Sequence, residues 1–502
     1  MTFKIGKLES TLILKVLLVC LLPGSIVLGA DQDFFDIYTL EIEGEIQNYL
    51  TGDFNADNLM DIALIYSPLN DPGTRYIGLF LQKRPAGFNT NADYLTAMAP
   101  GVAQLDVADM DNDGRDEIFL MNGDGVSVVS FSVESGFSGP VKIIRQNTVY
   151  SVPIFHDIIA DRFIFELNSA PGLEFILPGP RGYVIYERGD NGEYQVLTQL
   201  SVPLCGTTPV RTIKEFTSHR NSDWNIQLAE INVFDGNLDN HPDLYFLWDR
   251  KVCVFFQDAT GNFSQTPDVE RIFCSDADRG YIQSRIIDYN RDGRLDIAVA
   301  YVGGGITNTE SRIRFYVADQ KGIIETNYRK EITLSDSHCN FLIGDFNGDG
   351  VSEMALAAIE LGALAATKMF LMKNADLHLL VFPFDSGLPR DEPDRRMKYE
   401  FRFNFDDPQP IVEVSLDWSD DYNGDNLHDL VFSDGNGNLK FYWGREKEYL
   451  SKKPDLEISL DHPLEIHPIH LNKGTMSDII VEHNLSGRLD RLTVLKNRNN
   501  IN

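Results

Sequence analysis

Asp288-Tyr289-Asn290-Arg291-Asp292-Gly293-Arg294-Leu295-Asp296, followed by Ile297-Ala298-Val299-Ala300-Tyr301-Val302, is the stretch on which the reading of this chain turns. It has the form D-x-N-x-D-G-x-x-D. Oxygen-bearing side chains at positions 1, 3 and 5 converge inside a tight turn, and Gly at position 6 permits the positive φ that the bend needs. The carbonyl of position 7 and the acid at position 9 would complete an oxygen cage. Hard oxygen donors in a flexible cage suit Ca²⁺ better than Mg²⁺ or Zn²⁺. An EF-hand would need a bidentate Glu at position 12 and helices on both sides. Position 12 is Val299, inside an alternating apolar segment that reads as a strand.

The same nine residues recur along the chain. Asp109, Asp111, Asp113, Gly114 and Glu117 form one copy, and Asp345, Asn347, Asp349, Gly350 and Glu353 another. Three further copies carry Asn at position 6: Asp53, Asn55, Asp57, Asn58, Asp61; Asp235, Asn237, Asp239, Asn240, Asp243; and Asp421, Asn423, Asp425, Asn426, Asp429. Asn is the commonest substitute for Gly where φ is positive. With Asp288, Asn290, Asp292 and Asp296, these residues give six candidate calcium sites. Their twelfth positions are Leu64, Leu120, Phe246, Val299, Leu356 and Phe432, each in a strand-like run.

Two degenerate copies complete the series, one ending at Glu174 and one running from His470 through Asn472 and Gly474 to Asp478. The ninth positions then fall at 61, 117, 174, 243, 296, 353, 429 and 478. A period of about 60 residues has room for four strands and their turns. In the fifth copy the strands are expected near Tyr281–Ile287, Ile297–Val302, Arg312–Val317 and Arg329–Leu334. The fold class is therefore all-β: a single β-propeller, most simply of eight four-stranded blades. The last copy offers three strands before the chain ends, and an orphan strand at Asp36–Ile42 precedes the first, so the termini are expected to share the closing blade. The alternative is seven blades with one degenerate copy outside the ring.

Composition agrees with this and narrows the function. The chain has 502 residues, with 75 Asp+Glu against 44 Lys+Arg, a net charge of −31. That excludes a partner held through phosphate contacts, so no nucleic acid is expected. Six divalent cations would offset 12 of the 31 charges. Residues 1–30 place Lys4, Lys7 and Lys15 before the apolar run Val16–Leu22, the break Pro23-Gly24 and the small pair Gly29-Ala30. This is the layout of a secretory signal peptide, which leaves 31–502 as the propeller and a secreted, periplasmic or cell-surface location. No later segment has the uninterrupted apolar length of a membrane span. After cleavage Cys205, Cys253, Cys274 and Cys339 remain; Cys253 lies in one strand-like run and Cys274 ends the next, and the two either form a disulfide or stay as buried thiols.

The D-x-[DN]-x-D-[GN]-x-x-[DE] loops followed by short apolar strands resemble FG-GAP/VCBS repeats, similar to those of the integrin α-subunit propeller. The resemblance covers roughly residues 35–498. It implies calcium sites within the blades, at the six intact copies, and a ligand bound elsewhere on the ring.

No metalloprotease helix, nucleophile elbow, P-loop or dinucleotide-binding glycine motif occurs. His467 and His470 sit three apart in a strand-like segment, which puts them on opposite faces as structural residues. Trp248 and Trp443 read as blade core. The expectation is a non-catalytic, calcium-stabilised propeller that binds an extracellular protein or glycan. The alternative is a polysaccharide-active enzyme resembling rhamnogalacturonan lyase. Two stretches swell the repeat, near Cys205–Trp224 and Phe384–Glu400, and read as long surface loops where recognition could collect. The second carries Arg390, Arg395 and Arg396, a basic patch suited to an acidic partner.

Overall fold

Each acidic loop is followed by a strand that is buried on both faces, such as Asp61–Pro68, Asp243–Trp248 and Asp296–Gly303. A strand of that kind belongs in the middle of a sheet stacked between two others. The computed structural model describes residues 34–151, 158–168, 172–202, 205–207, 225–273, 280–304, 309–360, 374–402, 415–433, 437–460, 463–472, 474–483 and 489–498. It contains eight antiparallel sheets arranged as blades, in seven of which the four strands follow one another in chain order.

Blade 1 is Gly44–Gly52, Asp61–Pro68, Tyr76–Phe80 and Tyr94–Ala97; blade 2 is Gln104–Ala108, Glu117–Asn122, Gly125–Ser132 and Gly136–Arg145. Blade 3 is Ile164–Phe165, Glu174–Gly179, Gly182–Arg188 and Tyr194–Leu200, and blade 4 is Glu230–Phe234, Asp243–Trp248, Lys251–Phe255 and Val269–Ile272. Blade 5 is Tyr281–Ile287, Asp296–Gly303, Glu310–Tyr316 and Lys330–Ser335, within two residues of the sequence expectation at every boundary. Blade 6 is Ser337–Gly344, Glu353–Glu360, Asn374–Asp385 and Arg395–Arg402; blade 7 is Leu416–Asp420, Asp429–Ser433, Asn438–Tyr442 and Leu456–Ser459. Blade 8 takes Pro463–Ile469, Asp478–His483 and Arg491–Asn497 from the end of the chain and Phe35–Glu41 from its start. Phe35 pairs with Asn497 and Glu41 with Arg491, so the two termini close one sheet and cover each other's free edge. Eight blades, not seven, make the ring.

The cores close the same circle. Ile65 and Leu79 of blade 1 pack with Leu105 and Ile118 of blade 2, and equivalent apolar clusters fill every later junction. At the seam, Leu40, Ile480 and Leu492 of blade 8 pack on Ile46, Ile62 and Leu64 of blade 1. Trp248 and Trp443 are core residues of such junctions, as expected. All six twelfth-position residues are buried.

Several sequence expectations meet a different outcome or fall outside the described residues. The stretch 384–400 is not a long loop: Phe384–Asp385 turn back on Leu388–Pro389, and Arg395 opens a strand whose register puts it opposite Val381. Arg390 stands beside Asp394 (3.6 Å), Arg395 beside Glu448 (3.3 Å) and Arg396 beside Glu392 (3.2 Å), and Arg395 and Arg396 line a surface groove with Lys398, Glu448 and Lys452. The stretch 205–224 begins in a two-stranded pair, Cys205–Thr207 with Asn225–Gln227, and its residues 208–224 lie outside the described ones. The signal segment 1–30 and Cys274 also lie outside them. Cys253 is buried, and the register sets Glu270 across from it. Cys339 is a buried thiol whose pKa burial pushes up to about 11. No helix among the described residues is long and apolar enough to cross a membrane.

Candidate functional site

All six intact loops join the first strand of a blade to its second, and all are folded by the same hydrogen bonds. The N–H of position 6 donates to the position 1 carboxylate throughout: Asn58 to Asp53 (2.8 Å), Gly114 to Asp109 (2.9 Å), Asn240 to Asp235 (2.9 Å), Gly293 to Asp288 (2.8 Å), Gly350 to Asp345 (2.9 Å) and Asn426 to Asp421 (2.7 Å). The N–H of position 7 donates to the position 5 carboxylate in each, as Arg294 does to Asp292 at 2.9 Å. Position 1 is half-buried and position 5 exposed in every copy.

The bend is sharper than the sequence suggested. Position 6 has positive φ, as expected, but so does position 4: Ala56 (61°), Asn112 (59°), Leu238 (63°), Arg291 (59°), Gly348 (75°) and Gly424 (86°). A residue with a Cβ is strained there. Two left-handed residues separated by one other curl the backbone so that positions 1, 3 and 5 face a common centre. The side chains do converge. Carboxylate oxygens of Asp109, Asp111 and Asp113 all lie within 4.8 Å of one another, the one acidic loop among the described residues where three carboxylates do so. In blade 6 the Asn347 amide donates to both Asp349 (3.1 Å) and Glu353 (3.1 Å), bringing positions 3, 5 and 9 together. In blade 4 Asn237 reaches Asp239 (3.0 Å), and in blade 7 Asn423 reaches Asp429 (3.1 Å). Sequence reading missed position 4 because Ala, Leu and Arg carry no signature of positive φ.

The ninth-position acid has a second task. Asp61, Glu117, Asp243, Asp296, Glu353 and Asp429 are all buried. In every intact loop but that of blade 5, one carboxylate oxygen accepts the N–H of position 2, as from Phe54 to Asp61 (3.2 Å), Met110 to Glu117 (2.9 Å) and Tyr422 to Asp429 (2.8 Å). Where position 9 is Asp, an oxygen also accepts an N–H just past the third strand, as from Gln82 to Asp61 (2.8 Å), Gln257 to Asp243 (2.9 Å) and Gly444 to Asp429 (2.7 Å). The degenerate loops keep this latch: Leu167 donates to Glu174 (2.7 Å) and Leu471 to Asp478 (2.8 Å). Position 2 itself is an apolar plug beneath the turn, buried as Phe54, Leu167, Tyr289, Phe346, Tyr422 and Leu471. In blade 4 it is Gly236, and a Cβ there would lie 1.6 Å from the Tyr245 hydroxyl, which fills the space instead. Position 2 is apolar or aromatic in five of the six intact copies, a signal that a reading of the oxygen-bearing positions alone passes over.

Electrostatically the loops are under load. Burial pushes the ninth-position carboxyls up, to about 8 for Asp61, about 7 for Glu117, Asp296, Glu353 and Asp429, and about 6 for Asp243. The other carboxylates of each loop push in the same direction, for example Asp292 and Asp288 on Asp296. Asp296 shows the load most plainly, since its Oδ2 is buried with no hydrogen-bond partner. An oxygen-rich turn of like charges with an orphaned buried oxygen has the donor set of a hard divalent cation.

The loops also touch around the ring. Asp53 donates its N–H to Asp116 Oδ2 (2.7 Å), and Asp116 returns its own to Asp53 O (2.8 Å), joining the loops of blades 1 and 2. Arg291 of blade 5 donates to Gly350 O of blade 6 (2.6 Å).

Blade 3 breaks the pattern. Its loop lacks the early acids, and its first strand is only Ile164–Phe165. A cavity of about 500 Å³ opens beside that short strand, lined by Gln104, Asp161, Arg162, Tyr183, Glu230 and Ile231 among others. Its wall mixes both charges with an aromatic ring. Tyr150 donates to Gln104 Oε1 (2.9 Å) and Gln104 donates to Asp161 O (3.0 Å), fixing one side. His467 and His470 take different partners, Glu465 and Glu482 for the first and Asp420 for the second.

Residues 235–299 and 288–356 match the family described as FG-GAP-like repeat, and these spans run from the acidic loop of blade 4 through blade 5 into the second strand of blade 6. No curated protein sequence matches the chain. Among solved structures, one titled for recognition of non-reducing terminal N-acetylglucosamine by an Agrocybe aegerita lectin aligns at 12% identity over 74% of this chain and 90% of that one, with a TM-score of 0.40. A Lactobacillus plantarum protein aligns at 11% identity over 77% and 92% of the two chains, with a TM-score of 0.34. The V. cholerae biofilm matrix protein Bap1 aligns at 12% identity over 89% and 76%, with a TM-score of 0.30. The chain is an eight-bladed β-propeller, and two overlapping stretches of it match the FG-GAP-like repeat.

Proposed function

We propose that this chain is an exported binding propeller, in which Ca²⁺ in six loops fixes the blades and the cavity beside blade 3 receives an extracellular protein or glycan. The observation that carries the reading is the division of labour around the ring. Blades 1, 2, 4, 5, 6 and 7 bear intact acidic loops, whereas blade 3 has lost the early acids and has the shortest first strand, and the cavity opens there. A concave, mixed polar and aromatic opening on a rigid scaffold is the usual form of a recognition site. The calcium ligands would be the side chains of positions 1, 3, 5 and 9, with the position 7 carbonyl. Bound there, the cation supplies charge neutralisation and turn rigidity rather than chemistry.

The test is a glycan array and a panel of cell-surface proteins probed with the calcium-loaded protein, beside Arg162→Ala and Glu230→Ala. Loss of binding in both variants, with melting temperature unchanged, supports the cavity. Binding equal to the parent's in both moves the site elsewhere on the ring. Export is tested by sequencing the mature N-terminus, which should begin near Asp31.

A further inference from the structure

Blade 8 carries a cluster of ligating side chains that the acidic loops do not use. Glu465 and His467 stand two residues apart on its first strand, Pro463–Ile469, and Glu482 lies on the neighbouring strand Asp478–His483. Residues two apart on a strand share a face. His467 Nε2 is 3.4 Å from Glu465 Oε2 and 3.3 Å from Glu482 Oε1. One ligand atom from each of the three side chains lies within 4.8 Å of the others, and all three residues are half-buried. The face is the one turned toward blade 1. Ile480, two residues before Glu482, packs in the seam core, and Tyr49 of blade 1 meets the His467 ring edge-on at 5.8 Å.

His467 stands between two acids rather than against one. Nε2 is buried and makes no hydrogen bond, although two carboxylate oxygens stand near it at almost equal distances. Neither glutamate is ion-paired to a lysine or arginine among the described residues, so two carboxylates share one imidazole. Spacings of 3.3 and 3.4 Å are those of a coordination shell. Four ligands held tetrahedrally at about 2.0–2.1 Å from one ion stand about 3.3–3.4 Å from each other.

We propose that Glu465, His467 and Glu482 form a site for a zinc-type divalent transition metal at the seam between blades 8 and 1. The donor set makes it chemically distinct from the six loops, because an imidazole nitrogen favours such ions over Ca²⁺, which takes oxygen. Two carboxylates and a neutral imidazole balance a doubly charged ion. The three protein ligands leave a fourth position to water. All three come from the first two strands of blade 8, so the ion pins together the strands on which blade 1 packs, at the one junction where the chain's end meets its beginning.

The experiment uses the full chain in saturating calcium, freed of transition metals by dialysis against 1,10-phenanthroline and then titrated with zinc chloride alone. One equivalent of zinc should bind tightly to the parent. His467→Gln and Glu482→Gln should each weaken that binding at least tenfold without altering calcium content. Cobalt(II) in place of zinc should give the visible absorption of a four-coordinate site in the parent and not in His467→Gln. Glu465→Gln, at the most exposed of the three positions, repeats the test if either of the other variants fails to fold. A parent that takes up no zinc above calcium, or a His467→Gln protein that holds the same equivalent as tightly, overturns the proposal.

Discussion

Ala318 donates its backbone N–H to Asp296 Oδ1 at 2.8 Å, and Oδ2 of the same buried carboxylate has no partner. One oxygen therefore ties the loop to the turn after the third strand of blade 5, and under the proposed function the other would be a calcium ligand. In blade 5 the N–H of Tyr289 turns to Ile287 O (3.0 Å), so the position 2 donor used in the other blades is spent elsewhere.

From this split, Asp296→Asn should act in opposite senses with and without calcium. The amide keeps an oxygen for Ala318 and removes a buried charge, so the calcium-free variant should melt no lower than the calcium-free parent. In calcium it should lose the linkage contribution of one site, about 2.7 kcal/mol at a hundredfold excess over Kd. Paired thermal melts in EGTA and in calcium measure both effects. A variant less stable than the parent in EGTA would show that the charge itself is needed by the fold.

Glu174 isolates the latch from the cation. It accepts from Leu167 N (2.7 Å) and Asn168 Nδ2 (2.9 Å) in a loop that lacks the early acids. Glu174→Ala should cost about 1–3 kcal/mol, the cost of a buried donor left unsatisfied, and leave calcium stoichiometry unchanged. Denaturant unfolding and metal analysis on the same sample decide it.

The same residue sets a pH dependence. Burial raises the Glu174 carboxyl from 4.5 to about 7. Between those values the native state binds more protons than the unfolded one, so this group's contribution falls as pH rises through that window. Compared with Glu174→Gln in saturating calcium, the parent should gain melting temperature on going from about pH 8 to about pH 5. A constant difference between the two proteins would contradict the assignment.

Strain at position 4 is testable where nothing else depends on the side chain. Ala56 is exposed, with φ of 61°. Ala56→Gly should stabilise the protein by about 1 kcal/mol, because relief of a left-handed alanine outweighs the added freedom of the unfolded chain. Lower stability in the variant would mean that the loop is not strained at this residue.

Much of this architecture was legible from residue spacing, and the exceptions have physical reasons. Eight ninth-position acids marked eight blades because the latch is kept even where the other ligands are lost, at Glu174 and Asp478. The shared closing blade could be foreseen because an odd strand at the start matched a missing one at the end. Arg395–Arg402 was misread as loop because its charges obscure a period-2 signal in Met397, Tyr399 and Phe401. The cavity was not legible: it arises from strand shortening in blade 3, and strand length follows from tertiary packing. The Glu465–His467–Glu482 cluster needed the sheet register, which brings Glu482 across from the first strand.

The most direct test of the account counts calcium on the purified mature chain. Protein stripped with EGTA, refilled with calcium and freed of excess should hold up to six ions per chain, with Asp288→Ala holding one fewer. Its melting temperature should rise strongly on refilling, since each native-state site adds about 2.7 kcal/mol at a hundredfold excess over Kd. A chain that retains no calcium, and melts at the same temperature in EGTA as in calcium, would contradict the reading of these loops.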